Sequence, residues 1–136
     1  MIDKKHILVV DDNEVLKMTL SRLLNVEGYT VLTASGGDEA IKIVQNEYVD
    51  LVLLDINMPN VNGYDVLKFI KQNYPSIKVV MVTAYADLKN AVESKKLGAD
   101  EFITKPFNVR ELFSTIFRLT TVIDDKEPKI SYPATS

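Results

Sequence analysis

Asp55 closes the apolar run Leu51-Val52-Leu53-Leu54 and opens the turn Asn57-Met58-Pro59-Asn60-Val61-Asn62-Gly63. A carboxylate at the mouth of a buried strand is costly unless something there uses it. Asp11 and Asp12 stand in the same way behind Ile7-Leu8-Val9-Val10, Thr83 follows Val79-Val80-Met81-Val82, and Lys105 follows Phe102-Ile103-Thr104. Gathered in one crevice, the acids repel one another. Two unit charges 4 Å apart interact by about 4 kcal/mol at an effective dielectric of 20. Such a site calls for a cation. Hard oxygen donors with no His or Cys nearby favour Mg2+, which keeps several waters and takes one or two carboxylates plus phosphate oxygens. The chemistry this set can do is metal-assisted phosphoryl transfer, with Asp55 as the nucleophile that becomes an aspartyl phosphate. That reaction needs in-line positioning and neutralised equatorial oxygens. Mg2+ can neutralise one oxygen, Lys105 can pair with a second, and Thr83 can donate a hydrogen bond to a third. A lysine suits a single point charge beside a carboxylate.

Singly, each residue has a plainer reading. Asp12 can cap a helix, Thr83 can be an ordinary strand residue, and Lys105 before Pro106 can be a solvated loop lysine. The stretch from Asp55 to Pro59 can be turn chemistry alone. Their joint placement at consecutive strand ends is what favours a site.

The elements that must position these groups alternate along the chain. Strands are expected at His6–Val10, Tyr29–Ala34, Asp50–Leu54, Ile77–Val82 and Glu101–Thr104. Between them lie helical periods. Glu14–Val26 places Leu16, Leu20, Leu23 and Leu24 on one face, with Asp12 or Asn13 as cap and Gly28 as stop. A helix opened by Ser35-Gly36-Gly37-Asp38 carries Ala40, Ile41 and Val44. Gly63–Asn73 turns Val66, Leu67 and Ile70 inward and ends before Pro75. The weaker helix Asp87–Leu97 is expected to turn Leu88, Ala91 and Val92 inward, with Gly98 after it. Asn108-Val109-Arg110-Glu111 has the form of a capping box, and its helix is expected to bury Val109, Leu112, Phe113, Ile116 and Leu119. Phe117 is expected at the rim of a wide core stripe, the alternative being a partner or dimer contact. Strict strand–helix alternation with near-continuous apolar strands predicts an α/β, doubly wound parallel sheet covered on both faces. In such sheets ligands bind outside the carboxyl ends of the strands, where Asp11, Asp12, Asp55, Thr83 and Lys105 fall.

The 136 residues suit one domain. The chain has no cysteine, so neither a disulfide nor a thiolate metal site is available, which fits a reducing compartment. A net charge of -3 gives no reason to expect nucleic-acid binding. No apolar stretch approaches the ~20 residues of a membrane span, and the run Ile7–Val10 is too short for a signal-peptide core. A cytoplasmic location is the expectation. Residues 123–136 lose periodicity and are expected to form a polar C-terminal tail or the start of a linker.

The chain resembles the receiver domain of two-component response regulators. The matching stretches are Ile7-Leu8-Val9-Val10-Asp11-Asp12, Leu53-Leu54-Asp55-Ile56-Asn57-Met58-Pro59 with Gly63, Val82-Thr83-Ala84-Tyr85, and Gly98-Ala99-Asp100 through Phe102-Ile103-Thr104-Lys105-Pro106-Phe107. The resemblance implies a receiver domain over residues 1–122 and a flavodoxin-like five-stranded sheet of order 2-1-3-4-5. It implies that Asp55 accepts a phosphoryl group from a phosphohistidine on a sensor histidine kinase or histidine phosphotransfer protein. It further implies Mg2+ held by Asp12, Asp55 and the carbonyl of Asn57, with Asp11 acting mainly through water. Lys105 would contact the phosphoryl group and precede a cis proline. Thr83 and Phe102 would form the switch, without the phenol hydroxyl a Tyr would bring. Asn57 and Tyr85 would tune the lifetime of the phosphoryl group. The readout face would comprise the Asp87–Leu97 helix, the strand at Phe102 and the last helix. On this reading the chain is a regulatory phosphoacceptor, not a turnover enzyme. Its partners beyond the donor are a downstream protein target or a fused DNA-binding, ATPase or enzymatic output domain, with a homodimer as a further option.

Other readings fit less well. A haloacid-dehalogenase-like phosphatase needs a second Asp two residues after the nucleophile, where this chain has Asn57. A flavodoxin-like binding protein needs a phosphate loop of hydroxyls and backbone donors, where this chain has Asp11-Asp12-Asn13. A phosphohistidine carrier needs its His on a helix, and the sole His6 begins a strand. A degenerate receiver used only for binding would lack Asp55, Lys105 or an acid.

Overall fold

The computed structural model describes residues 4–58, 61–84 and 87–121. Its elements run β1 His6–Val10, α1 Glu14–Val26, β2 Thr30–Ala34, α2 Gly37–Asn46, β3 Leu51–Leu54, α3 Gly63–Asn73, β4 Lys78–Thr83, α4 Leu88–Lys96, β5 Glu101–Thr104 and α5 Val109–Thr121. Every expected element is present, with strand ends displaced by a residue at β2, β3 and β4. The sheet has five parallel strands in the order β2-β1-β3-β4-β5, as expected.

Strand side chains alternate between two buried layers. Leu8, Val10, Val52, Leu54, Val79 and Met81 point to one side, where Ala40 and Val44 of α2 and Val66, Leu67 and Ile70 of α3 cover them. Ile7, Val9, Leu51, Leu53, Val80, Val82 and Ile103 point to the other, against Leu20 and Leu24 of α1 and Leu112 and Ile116 of α5. Both faces of β1, β3 and β4 are therefore dry, which explains their unbroken apolar sequence.

Helix starts are set by polar caps in the loops at the carboxyl end of the sheet. Asn13 Oδ1 accepts from Leu16 N, Asn62 Oδ1 from Asp65 N, and Asp87 Oδ1 from Asn90 N. Asn13, not Asp12, caps α1, which leaves the Asp12 carboxylate free for the site. Asn108 Oδ1 accepts from the N–H groups of Arg110 and Glu111. Gly28 and Gly98, at φ 102 and 101, end α1 and α4 in the left-handed region that glycine tolerates.

Expectations at five positions on the helix faces are corrected. Leu23 is exposed, and the buried stripe of α1 is rotated toward Lys17. The Lys17 ammonium is buried because Glu14 Oε2 lies 2.9 Å away and Ser35 Oγ also accepts from it. In α4, Leu88 is 79% and Val92 45% exposed, while Ser94 is fully buried. The short side chains of Ala91 and Ser94, not the large ones, face the body. Val109 is exposed in the first turn of α5. Phe117 is 63% exposed, so it lies outside the core stripe of Leu112 and Ile116.

Candidate functional site at the carboxyl edge of the sheet

Parallel register carries the candidate residues to one edge. Val10 pairs with both Ala34 and Leu54, so Asp11 and Asp55 leave the sheet side by side. The ladder runs one step further through Asp55 N to Val10 O at 3.1 Å and Lys105 N to Thr83 O at 2.8 Å. Thr83 pairs with Thr104 in register, which places Lys105 just beyond the last pair.

The three acids converge: carboxylate oxygens of Asp11, Asp12 and Asp55 all lie within 4.8 Å of one another. Asp11 and Asp55 are 4% and 7% exposed, whereas Asp12 is open to solvent. Asp11 Oδ1 accepts from Asn13 N at 2.9 Å, and Asp55 Oδ1 from Asn57 N at 3.3 Å. Lys105 Nζ donates to Asp11 Oδ2 at 2.6 Å and to Asp55 Oδ2 at 3.4 Å. Thr83 is fully buried at the end of β4. The structure thus brings together Asp11, Asp12, Asp55 and Lys105, with Thr83 on the adjoining strand.

Burial pushes the Asp55 carboxyl up, and the Asp11 charge adds to this. The Lys105 charge and the hydrogen bonds from Asn57 and Lys105 pull it down without cancelling the rise. Burial pulls Lys105 down, but its hydrogen bond to Asp11 and the charges of Asp11 and Asp55 outweigh that, and its net direction is upward. Lys105 therefore stays an ammonium. The donor set fits a hard cation: clustered carboxylate oxygens, no sulfur or imidazole, and one exposed acid whose side is open to metal-bound water.

The Lys105–Pro106 peptide is cis, as the resemblance implies. Phe102 is half-buried, pairs with Met81 across the sheet and packs against the core layer that contains Leu54 and Ile70. Asn57 is exposed beside Asp55. Tyr85, Pro59 and the expected tail 123–136 lie outside the described residues. His6 lies at the opposite end of β1, its ring Nδ1 3.7 Å from Asp50 Oδ2.

The sequence reading matched Gly63 without foreseeing its packing, and it missed the burial of Lys17. Gly63 packs so closely on the Asp55 loop that a Cβ there would fall 2.3 Å from the Asp55 carbonyl oxygen. A glycine at the first helical position, where it brings no capping advantage, was the available signal. Lys17 was overlooked because a charge beside the apolar stripe reads as solvated. Glu14 one turn earlier was the hint to a partner.

A family model for the response regulator receiver domain matches residues 7–117. A probable transcriptional regulator, ycf27, of Cyanidium caldarium is 37% identical over 125 residues, covering 92% of this chain and 50% of the relative. The response regulator SaeR of Staphylococcus aureus is 38% identical over 116 residues, covering 85% of this chain and 50% of SaeR. The chain thus spans about half the length of the curated relatives it matches. Among solved structures, a CheY-like receiver domain protein from Methanospirillum hungatei superimposes with TM-score 0.81 at 38% identity, covering 84% of this chain and 91% of that one. The response regulator TrrA of Thermotoga maritima, in complex with Mg2+–BeF, superimposes with TM-score 0.77 at 37% identity, covering 85% of this chain and 98% of that one. Among the described residues no helix is long and apolar enough to cross a membrane. From the strand order, the clustered acids and a family match over most of its length, the chain belongs to the response regulator receiver domain family, the regulatory phosphoacceptors of two-component signalling.

Proposed function

We propose that Asp55 accepts a phosphoryl group from a phosphohistidine on a sensor histidine kinase or histidine phosphotransfer protein, and that this changes the surface around α4, β5 and α5. The observation that carries the reading is the position of Asp55 at the end of β3, within reach of two further carboxylates and the Lys105 ammonium. A carboxylate oxygen of Asp55 attacks phosphorus in line. The bond from phosphorus to the imidazole nitrogen breaks, and the nitrogen keeps the electron pair. Lys105 moves from its carboxylate partners onto a phosphoryl oxygen, and the Thr83 hydroxyl donates to another. Asp12, Asp55 and the Asn57 carbonyl would hold Mg2+, with Asp11 acting through water. When bound, Mg2+ neutralises charge on the incoming dianion, without which the acids would exclude it. Asn57 and Tyr85 would govern how fast water removes the group. The Asp11-to-Lys105 set serves this one transfer and its slow reversal by hydrolysis, not turnover of a separate substrate.

Phosphorylation adds charge and acceptor oxygens and favours whichever conformer brings Thr83 and Lys105 nearest. Phe102 then follows Thr83 inward. The half-length match to relatives named transcriptional regulators supports a second reading of the output, in which residues 1–122 act as the receiver of a longer regulator with a DNA-binding domain. On the first reading the target is a separate protein.

Intact mass after incubation with acetyl phosphate tests the site. Gain of one phosphoryl group with Mg2+, absent without Mg2+ and absent in Asp55→Asn, is expected. No gain by folded protein with Mg2+ overturns the proposal.

A further inference from the structure

Helix α4 meets the body through a polar contact. Leu88 and Val92 face solvent, and the only fully buried side chain of α4 is Ser94. On the same side, one turn earlier, stands Asn90. The Tyr64 hydroxyl donates to Asn90 Oδ1 at 2.5 Å and lies 3.5 Å from the Asn90 carbonyl oxygen. The Tyr64 ring packs against the buried layer containing Val66, Ile70 and Met81, so its position is fixed independently of the hydroxyl.

The two ends of this bond adjoin the two loops of the site. Tyr64 follows Gly63, whose N–H donates to the Ile56 carbonyl at 2.7 Å and where a Cβ would collide with the Asp55 carbonyl oxygen. Asn90 lies in the first turn of α4, its own N–H capped by Asp87 at 2.8 Å, in the helix that the Thr83 loop feeds. One hydroxyl therefore joins the segment after the phosphoacceptor to the helix after the hydroxyl-bearing strand. Among the described residues α4 has little apolar anchorage, so this bond contributes to fixing its first turn.

We propose that the Tyr64 hydroxyl is a latch that holds α4 in its unphosphorylated position and sets how readily a phosphoryl group at Asp55 moves it. The holding half of this statement stands by itself, and the coupling half rests on Asp55 being the phosphoacceptor. Tyr64→Phe keeps the ring and removes the latch.

Hydrogen exchange without Mg2+ or phosphodonor tests the holding half. Amides of α4 in Tyr64→Phe are expected to exchange roughly three- to tenfold faster, the worth of one net hydrogen bond, with β1, β3 and α3 unchanged. Asn90→Ala should act in the same direction, and the double variant should add nothing beyond the larger single effect. Unchanged α4 exchange in Tyr64→Phe, or full additivity, overturns the latch. Titration with Mg2+ and beryllofluoride tests the coupling half, with tighter binding by Tyr64→Phe expected by a similar factor. Equal affinity overturns the coupling. If neither protein binds beryllofluoride, the phosphoacceptor reading and the coupling fall together, while the holding half is decided by the exchange data.

Discussion

Lys105 and Asp11 form the closest ion pair among the described residues, Nζ to Oδ2 at 2.6 Å, and Asp55 takes the longer leg at 3.4 Å. The pair bridges a strand end and a loop 94 residues apart. Asp11 thus holds Lys105 nearer to itself than to Asp55, and on the proposed function an arriving phosphoryl group must win the ammonium from a carboxylate. Asp11→Asn should release Lys105 toward Asp55 and remove one charge from the acidic cluster. Mg2+ affinity is expected to fall roughly 10- to 100-fold, the usual cost of losing an outer partner of a metal site. Magnetic resonance titration with Mg2+ measures this, and an unchanged dissociation constant would contradict the role given to Asp11.

The Asp55 carboxyl is held above its ordinary value first by burial and then by Asp11. The folded chain therefore binds this proton more tightly than the unfolded chain, whose value is about 3.9. Below that value both states are protonated and no penalty exists. As pH rises through the folded value, ionisation costs stability. Without Mg2+, Asp55→Asn should raise the urea midpoint at pH 7, and the gain should shrink toward zero below about pH 4. A gain equal at both pH values would mean that the charge is not its source.

Gly63 tolerates no side chain. A Cβ would meet the Asp55 carbonyl oxygen at 2.3 Å and the Ile56 Cα at 2.7 Å, both backbone atoms that cannot rotate away. Gly63→Ala should destabilise the fold by about 1–3 kcal/mol, read from chemical denaturation, and should slow phosphorylation by displacing Asp55. Wild-type stability would show that the loop yields freely.

Neighbouring residues of α5 should behave in opposite ways. Ile116 is fully buried against the sheet, and Phe117 is largely exposed. Ile116→Ala should cost about 2–5 kcal/mol, whereas Phe117→Ser should stay within about 0.5 kcal/mol. A large loss at Phe117 in denaturant titrations would restore it to the core.

By itself the sequence determined the order and kind of every element and the membership of the acidic pocket. Buried parallel strands write themselves as unbroken apolar runs, and a polar residue ending such a run has few places to go but the carboxyl edge. Asp11, Asp12, Asp55, Thr83 and Lys105 were legible for that reason, although they span most of the chain. Only the tertiary structure decided how each helix is rotated about its axis. Lys17 is buried in place of Leu23 because Glu14 and Ser35 satisfy its charge, and small side chains draw α4 inward while Leu88 and Val92 turn out. Likewise, the preference of Lys105 for Asp11 and the meeting of Tyr64 with Asn90 depend on fractions of an ångström between elements distant in sequence. Periodicity reports which residues share a face; it carries no information on the height and angle at which two faces meet.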